Sequence, residues 1–371
     1  MPVRAADIAA LVEKWAPPAL TAAWDNGGFQ VGDPDQRVDR ILVALDVDST
    51  TLAAAREKGA QMVVAHHPLI FQPLKSLRED RWEGALLANI IQTGLVVYCA
   101  HTNLDQAPGG TDDLLAEKLE LQGAAVLKST GREDLYKLVV FVPQGYEDAV
   151  REAMAAAGAG WIGNYSHCTF QTAGTGTFKP LAGSNPFIGS QGELERVAEL
   201  RLETVVPRGL LSPVLEAMLQ AHPYEEVAYD LYRLEQGGKK LGFGRIGQLS
   251  SPLTLAELAQ WVKEKLDLSR VRVVGDLKQK VSRVAVCGGS GGSLLKEALE
   301  QQAQAFITGD VKYHDAALAA EAGIGLIDAG HLGTEKILVS ALAEYLKKEL
   351  AARQAGVEVV CHQPRELFQI I

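Results

Sequence analysis

Two adjacent histidines, His66 and His67, follow the apolar segment AQMVVA and precede Pro68. The apolar segment predicts a buried strand, and the proline prevents that strand from continuing with normal pairing. Because neighbouring residues of a strand point to opposite faces, one ion could take both imidazoles only if the backbone turns, whereas two neighbouring ions could share them. A structural pair, one histidine buried and one exposed, is the alternative. The doublet at a strand end favours metal binding.

The segment AHTNLD places His101 directly after the apolar segment GLVVYCA and Asp105 four residues later. If the chain coils into a turn after Thr102, both side chains can face the same point. Asp105 could instead be an ordinary turn or helix-capping residue, which the following APGG segment also suits. Together with His66 and His67, we favour a metal ligand.

The segment DAGHLGTEKILVSALAEYL contains a third pair of donors, His331 and Glu335. His331 ends a predicted strand, and Glu335 opens a long amphipathic helix. Their spacing of four residues can bring an imidazole and a carboxylate onto one face. Glu335 could alternatively serve only the helix N-terminus, where a negative charge is favourable. Beside the other donors, we interpret both residues as metal ligands.

Taken together, five side chains form a mixed set of nitrogen and oxygen donors: His66, His67, Asp105, His331 and Glu335. Such a set suits zinc, iron, manganese, nickel or cobalt, and does not suit magnesium or calcium. A carboxylate can bridge two ions roughly 3.5–4 Å apart, the separation at which a shared water becomes a good nucleophile. The donors therefore predict two divalent metal ions per subunit, with His101 or His314 shuttling protons.

Four further segments are less specific. GDVKYHD carries Asp310, Lys312 and His314, which could hold a ligand imidazole or protonate a leaving group, or merely begin a solvated helix. The glycines of Gly288–Gly292 predict a tight strand-to-helix turn better than a phosphate loop, because the Walker lysine is missing. HPYEEVAYDLY alternates like a half-buried strand, so His222 there is interpreted as structural. WDNGGFQ is either a loop over the site or a structural turn.

The segments that must position these side chains alternate apolar strands with helices in both outer thirds of the chain. This alternation predicts two α/β halves with mixed sheets that form one metal-binding domain, with ligands at the carboxyl ends of strands. Between them, the order strand, helix, strand, strand, helix, strand predicts an inserted ferredoxin-like α+β domain with a long Gly-rich loop over residues 174–192. We therefore divide the chain into residues 1–127, 128–240 and 241–371.

The composition argues against several classes of protein. With 371 residues, of which 47% are hydrophobic and 22% charged, the chain suits two or three globular domains and contains no apolar run that could cross a membrane. Its net charge of −10 argues against nucleic acid as the main partner. Four dispersed cysteines and an N-terminal segment without an export signal predict a cytoplasmic protein with reduced thiols.

The segments AHHPLIF, AHTNLDQAPGG, GDVKYHD and DAGHLGTE, in this order and near the two ends of the chain, resemble the Nif-three-like dinuclear-metal family. Members are often labelled GTP cyclohydrolase 1 type 2 homologs. The resemblance implies two metal ions at the five donor positions, with His101 close by, and a toroidal homohexamer whose interior contains the metal sites. The middle third resembles the PII/CutA-like insert of the long bacterial form, which would cover the openings. Phe29 departs from the aliphatic residue common in the family, a difference that concerns packing of that loop.

These observations predict a metal-dependent hydrolase that acts on a small molecule, of the cyclohydrolase type that the resemblance implies. A two-metal nucleotide phosphoesterase is the nearest enzymatic alternative, since two-metal sites suit phosphoryl chemistry. A shared fold does not transmit a reaction. The non-catalytic alternative is therefore a metal-binding or regulatory hexamer that senses a small effector or partner through its insert.

Overall fold

The computed structural model describes residues 2–368, which form two compact units. One unit combines the segment that ends at Thr130 with the segment that begins at Leu241. The other unit is the continuous segment Gly131–Lys240. Within residues 2–368, no helix has both the length and the apolar character that crossing a membrane would require.

Helices and strands are numbered in chain order. The helices are α1 Ala5–Trp15, α2 Ser49–Lys58, α3 Trp82–Gln92, α4 Thr102–Gln106, α5 Thr111–Lys118, α6 Glu147–Ala156, α7 Leu211–Ala221, α8 Leu255–Lys265, α9 Leu295–Glu300, α10 Tyr313–Ala322 and α11 His331–Ala352. The strands are β1 Gly28–Val31, β2 Arg40–Ala44, β3 Met62–Ala65, β4 Val96–Cys99, β5 Gln122–Arg132, β6 Leu135–Pro143, β7 Thr169–Phe178, β8 Glu195–Pro207, β9 Tyr229–Arg233, β10 Lys240–Thr254, β11 Arg272–Val274, β12 Lys280–Val286, β13 Ala305–Thr308, β14 Gly325–Asp328 and β15 Glu358–Cys361.

The first sheet has the strand order β1–β4–β3–β2–β15. Strands β4, β3, β2 and β15 run parallel to one another, and β1 is antiparallel to β4. Every residue of β3 and β4 is buried, as expected of parallel strands covered on both faces. Helix α11 contacts β2 and β15, and its leucines at four-residue spacing lie in the same core: Leu338, Leu342, Leu346 and Leu350.

The second sheet has the strand order β11–β14–β13–β12–β10–β5. Its central strands β12, β13 and β14 are parallel, while β10 is antiparallel to β12 and β11 is antiparallel to β14. The prediction of a mixed α/β fold is confirmed. Each sheet also takes a strand from the opposite end of the chain, since β15 joins the first sheet and β5 joins the second. The two halves predicted from the sequence are therefore interlocked through strand exchange.

The smaller unit contains a four-stranded antiparallel sheet with the order β7–β8–β6–β9. Helices α6 and α7 contact each other, and their buried side chains share one core with the strands: Val150, Met154, Val214 and Met218. One local prediction is wrong here. Residues 174–178, which we expected to open a long loop, continue β7 because their backbone pairs with β8 as far as Phe178.

Candidate metal centre

The candidate ligands lie where strands of both sheets of the larger unit end. His66 and His67 directly follow β3, and His101 follows β4 after a single residue. Helix α4 then begins at Thr102 and carries Asp105 in its first turn, so the coil on which the ligand interpretation of Asp105 depended is present. Helix α11 follows β14 and begins at His331. We expected this helix to begin at Glu335, but the four residues before it are helical too.

One group of donors consists of His67, His331 and Glu335. Nε2 of His67 lies 3.0 Å from Oε2 of Glu335, and Nε2 of His331 lies 3.1 Å from the same oxygen. The two imidazole nitrogens are themselves 3.2 Å apart. Although His67 lies 264 and 268 positions from the other two residues, the three donor atoms face a common point, where Glu335 is almost fully buried.

A second set of donors consists of His66 and Asp105, and His66 also faces the other oxygen of Glu335. Nε2 of His66 lies 3.5 Å from Oδ1 of Asp105 and 3.9 Å from Oε1 of Glu335. Nε2 of His66 and Oδ1 of Asp105 are both buried, and neither has a hydrogen-bond partner within residues 2–368. Buried polar atoms without a partner are rare and costly. A cation between these atoms would satisfy them, so the donor set fits a metal ion.

His101 lies beside His66 and His67, and its carboxylate partner is Asp25, which is not one of the five proposed ligands. Its ring centroid is 5.1 Å from that of His66 and 5.6 Å from that of His67. Ligating atoms of these three histidines lie within 4.8 Å of one another. On its other side, Nδ1 of His101 lies 2.9 Å from Oδ1 of Asp25, whose side chain is fully buried. His101 is therefore close to the centre and firmly oriented.

Each histidine of the cluster has an oxygen acceptor at Nδ1. The pairs are His66 with the carbonyl of Ala100 at 2.8 Å, His67 with Asp46 at 2.7 Å, His331 with Asp310 at 2.7 Å and His101 with Asp25 at 2.9 Å. Because Nδ1 donates outward in every case, every Nε2 is directed toward the cluster. Outer partners of this kind fix the tautomer and the orientation of histidines that bind metals.

The histidines and Glu335 shift one another's pKa values. Burial lowers the pKa of His66 to about 3. Burial also disfavours the charged form of His67, but hydrogen bonds to Asp46 and Glu335 raise its pKa to about 10. The hydrogen bond to Glu335 likewise raises the pKa of His331 to about 9. Against the effect of its own burial, Glu335 has a pKa well below the usual value, because both imidazoles donate to it.

The pKa of Asp105 is shifted in the opposite direction from that of Glu335. Burial, reinforced by the nearby negative charge of Glu335, raises the pKa of Asp105 to about 7. A buried carboxylate beside another carboxylate is stabilised by a positive charge. The same region therefore combines a carboxylate that resists ionisation with an unpaired imidazole nitrogen on His66, which is the electrostatic environment that a divalent cation would relieve.

The Gly-rich segment after β12 is a tight turn, as predicted. Its amides donate to side chains of the protein: Gly288 to Asp112 at 2.8 Å, Gly289 to Thr334 at 2.9 Å and Gly291 to Thr308 at 2.9 Å. These amides are therefore engaged within the chain and are not presented to a phosphate. The turn instead lets the backbone pass close to Glu335.

Asp46 and Asp25 were not singled out from the sequence, although both contact histidines of the site. Asp46 follows β2 by one residue, so the strand-end signal that identified His66 could have identified it too. Asp25 lies in WDNGGFQ, where no periodicity distinguishes a functional loop from a structural turn. Asp310 was recognised as a partner for a ligand imidazole, and the structure places it on His331.

His314 and His222 lie outside both sets of donors. His314 is exposed at the beginning of α10, where its ring contacts Tyr313, so its predicted role in proton transfer stays a prediction. His222 is buried in the smaller unit. Its Nε2 donates to the carbonyl of Phe141 at 3.0 Å, and its Nδ1 accepts from the amide of Tyr224 at 3.1 Å. Both nitrogens are satisfied by the backbone, as in a structural histidine. The expected half-buried strand of this segment is wrong, because all five residues of β9 are exposed.

This fold, with His and Glu groups that could hold metal at the strand ends, belongs to a known class. Residues 3–366 match the family described as Duf34/NIF3 (NGG1p interacting factor 3), and the chain belongs to that family. The resemblance inferred from the sequence is thereby confirmed.

Among its relatives, a protein of Halalkalibacterium halodurans named GTP cyclohydrolase 1 type 2 homolog is 47% identical over 350 residues, which cover 94% of each chain. A Bacillus subtilis protein of the same name is 43% identical and covers 96% of this chain and 95% of its own. The crystal structure of a Bacillus cereus protein related to NIF3 matches with a TM-score of 0.88 at 41% identity, over 100% of both chains.

Proposed function

We propose that this protein is a dinuclear metal-dependent hydrolase. The observation that carries the proposal is that the two carboxylate oxygens of Glu335 face different histidines. One oxygen faces His67 and His331, and the other faces His66. With Asp105 beside His66, each side of the carboxylate has the donors to hold one divalent ion. The mixed nitrogen and oxygen donors suit zinc, iron, manganese, nickel or cobalt.

A pair of ions at these positions would lower the pKa of a shared water molecule and polarise a bond of the substrate. His101 is the residue to which we assign proton transfer. Asp25 accepts the Nδ1 proton of His101, so Nε2 of that ring can take a proton on the side of the cluster. His314 remains a second candidate from the sequence, but it is exposed and belongs to neither set of donors.

A small molecule is the substrate that we propose. The relatives' name, GTP cyclohydrolase 1 type 2 homolog, supports a hydrolytic reaction of the cyclohydrolase type. The net charge of −10 disfavours long polyanions, because their phosphates would meet an acidic protein. Hydrolysis of a nucleotide phosphoester is the alternative reaction at the same pair of ions.

We further propose that the smaller unit is a ferredoxin-like, PII/CutA-like insert and that the chain assembles as a toroidal homohexamer. The strand order β7–β8–β6–β9, with both helices packed into one core, supports the first part. A separate compact unit also supports the alternative function, in which the insert senses a small effector or partner while the metal centre is not catalytic.

Turnover and metal content separate these functions. The wild type and Glu335→Ala would be loaded with zinc, iron, manganese, nickel or cobalt in turn and offered a panel of nucleotides, pterin precursors and phosphodiesters. We expect hydrolysis by the wild type and none by the variant. If the wild type binds two ions per chain yet hydrolyses no compound, the enzymatic function is wrong and the regulatory one is favoured.

A further inference from the structure

Two exposed aromatic side chains, Trp24 and Phe71, lie beside the candidate metal centre. The Trp24 residue is 63% exposed and Phe71 is 49% exposed. Their ring centroids are 6.1 Å apart with the planes at 62°, and the Trp24 ring is also 6.2 Å from the ring of His101 at 81°. Since His101 in turn contacts His66 and His67, the indole is one ring removed from the proposed ligands.

The backbone beneath these rings is held by several polar contacts. The side-chain amide of Asn26 donates to the carbonyl of Ile70, and the amide of Ile70 donates to Gln30 at 3.1 Å. Asp25, next to Trp24, accepts from both the amide and the hydroxyl of Thr102. The segments that carry the two rings are thus tied to each other and to the helix that follows His101, while the rings themselves remain open to solvent.

Packing of the fold does not account for Trp24. Phe29, an aromatic residue in the same segment, packs edge to face on the buried Tyr98 at 5.1 Å and is only 37% exposed. Within residues 2–368, Trp24 has no such ring contact with a buried aromatic side chain of the core. Its ring contacts are with Phe71 and with His101 of the site.

We propose that Trp24 and Phe71 form an aromatic platform that stacks a planar heteroaromatic ring of the substrate. This inference rests on the proposed function and specifies the chemical class of its substrate. An exposed indole on a fixed backbone offers its π-face at little entropic cost, and stacking of a base on an aromatic side chain is substantial. A ring stacked there would have its substituents beside His101 and the proposed metal ions.

Binding of guanosine, compared with ribose, tests the platform in the full-length, metal-loaded protein. Isothermal titration calorimetry would be performed on the wild type, Trp24→Ala, Trp24→Phe and Phe71→Ala. Trp82→Ala is the matched control, because Trp82 is a 76% exposed tryptophan at the start of α3. We expect guanosine to bind about tenfold more weakly to Trp24→Ala, as loss of one stacking partner predicts. Phe71→Ala should also weaken binding, whereas Trp24→Phe and Trp82→Ala should retain most of it.

Three results would overturn the platform. The first is wild-type protein that binds guanosine no more tightly than ribose. The second is Trp24→Ala with the same guanosine affinity as Trp82→Ala. The third is a change in the mass of the assembly in Trp24→Ala, measured by light scattering, which would assign the indole to a contact between subunits.

Elemental analysis of the same samples distinguishes failure of the platform from failure of the proposed function. If the wild type holds two ions and hydrolyses a substrate but Trp24→Ala leaves guanosine binding unchanged, the platform alone is wrong. If the wild type retains no metal, the proposed function is wrong, whatever the affinity for guanosine.

Discussion

Gly289 lies so close to Glu335 that a β-carbon at position 289 would be 2.3 Å from Oε1 of the glutamate. The same glycine has a φ of +57°, and its amide donates to Thr334, the residue before Glu335. The turn after β12 therefore sets the space in which the carboxylate of Glu335 lies. A site built mainly from β3, β4 and α11 thus depends on a backbone turn that contributes no ligand.

Gly289→Ala tests this dependence. The added β-carbon would displace the carboxylate of Glu335, so we expect the bound metal, measured by elemental analysis, to fall from the two proposed ions to one or none. Gly94→Ala is the matched control, because Gly94 has a φ of +64° with no atom within 4 Å of an added β-carbon. Both variants should lose about 1–2 kcal/mol of folding free energy through the left-handed backbone. Equal metal content in the two would contradict the prediction.

Removal of a proposed ligand should reduce metal without unfolding the chain. We expect His331→Ala to lower bound metal to one ion or none, and Glu335→Ala to do the same with the greater loss, because its two oxygens face both sets of donors. Elemental analysis measures the loss, and circular dichroism checks the fold. His314→Ala should keep the full content, since His314 belongs to neither group. Full metal content in both ligand variants would show that the assignment is wrong.

The carboxylates behind the histidines should tune metal affinity. Asp46→Asn and Asp310→Asn each keep a hydrogen-bond acceptor for the imidazole but remove the charge, so we expect metal to bind roughly 10- to 100-fold more weakly. Asparagine is chosen at position 310 because the native residue has a φ of +53°, which asparagine tolerates.

Competition with a metal-sensitive dye would measure both affinities. Asp230→Asn, on an exposed strand of the smaller unit, is the control and should bind as the wild type does. An unchanged affinity in Asp46→Asn and Asp310→Asn would mean that these carboxylates do not orient the ligands.

Acid should loosen the smaller unit through His222. Burial lowers the pKa of His222 from its usual 6.5, and both ring nitrogens are engaged with backbone groups. A lowered pKa means that the unfolded chain takes up the proton first, so the stabilisation is complete above pH 6.5 and is lost as the pH falls through the lower folded-state value. Hydrogen exchange of α7 and β9 should accelerate over that range.

His222→Gln, which cannot be protonated, provides the comparison. Its exchange in α7 and β9 should depend less on pH between neutrality and mild acid than that of the wild type. If both proteins respond equally to acid, groups other than His222 cause the effect.

The sequence predicted each proposed ligand because the signal is local. An apolar strand that ends in His66 and His67, or a helix that begins near His331 and Glu335, can be read from neighbouring residues alone. The sequence could not predict that β15 joins the first sheet and β5 the second. Strand partners are decided by packing between segments that are hundreds of residues apart.

What the sequence determined by itself was the chemistry available: the donor types, their order and the secondary structure that carries them. Only the tertiary structure decided that the two oxygens of Glu335 face different histidines, that Asp25 and Asp46 lie behind His101 and His67, and that Gly289 makes room for the carboxylate. The physical reason is that donor identity belongs to single residues, whereas distances and orientations arise when segments far apart in the chain pack together.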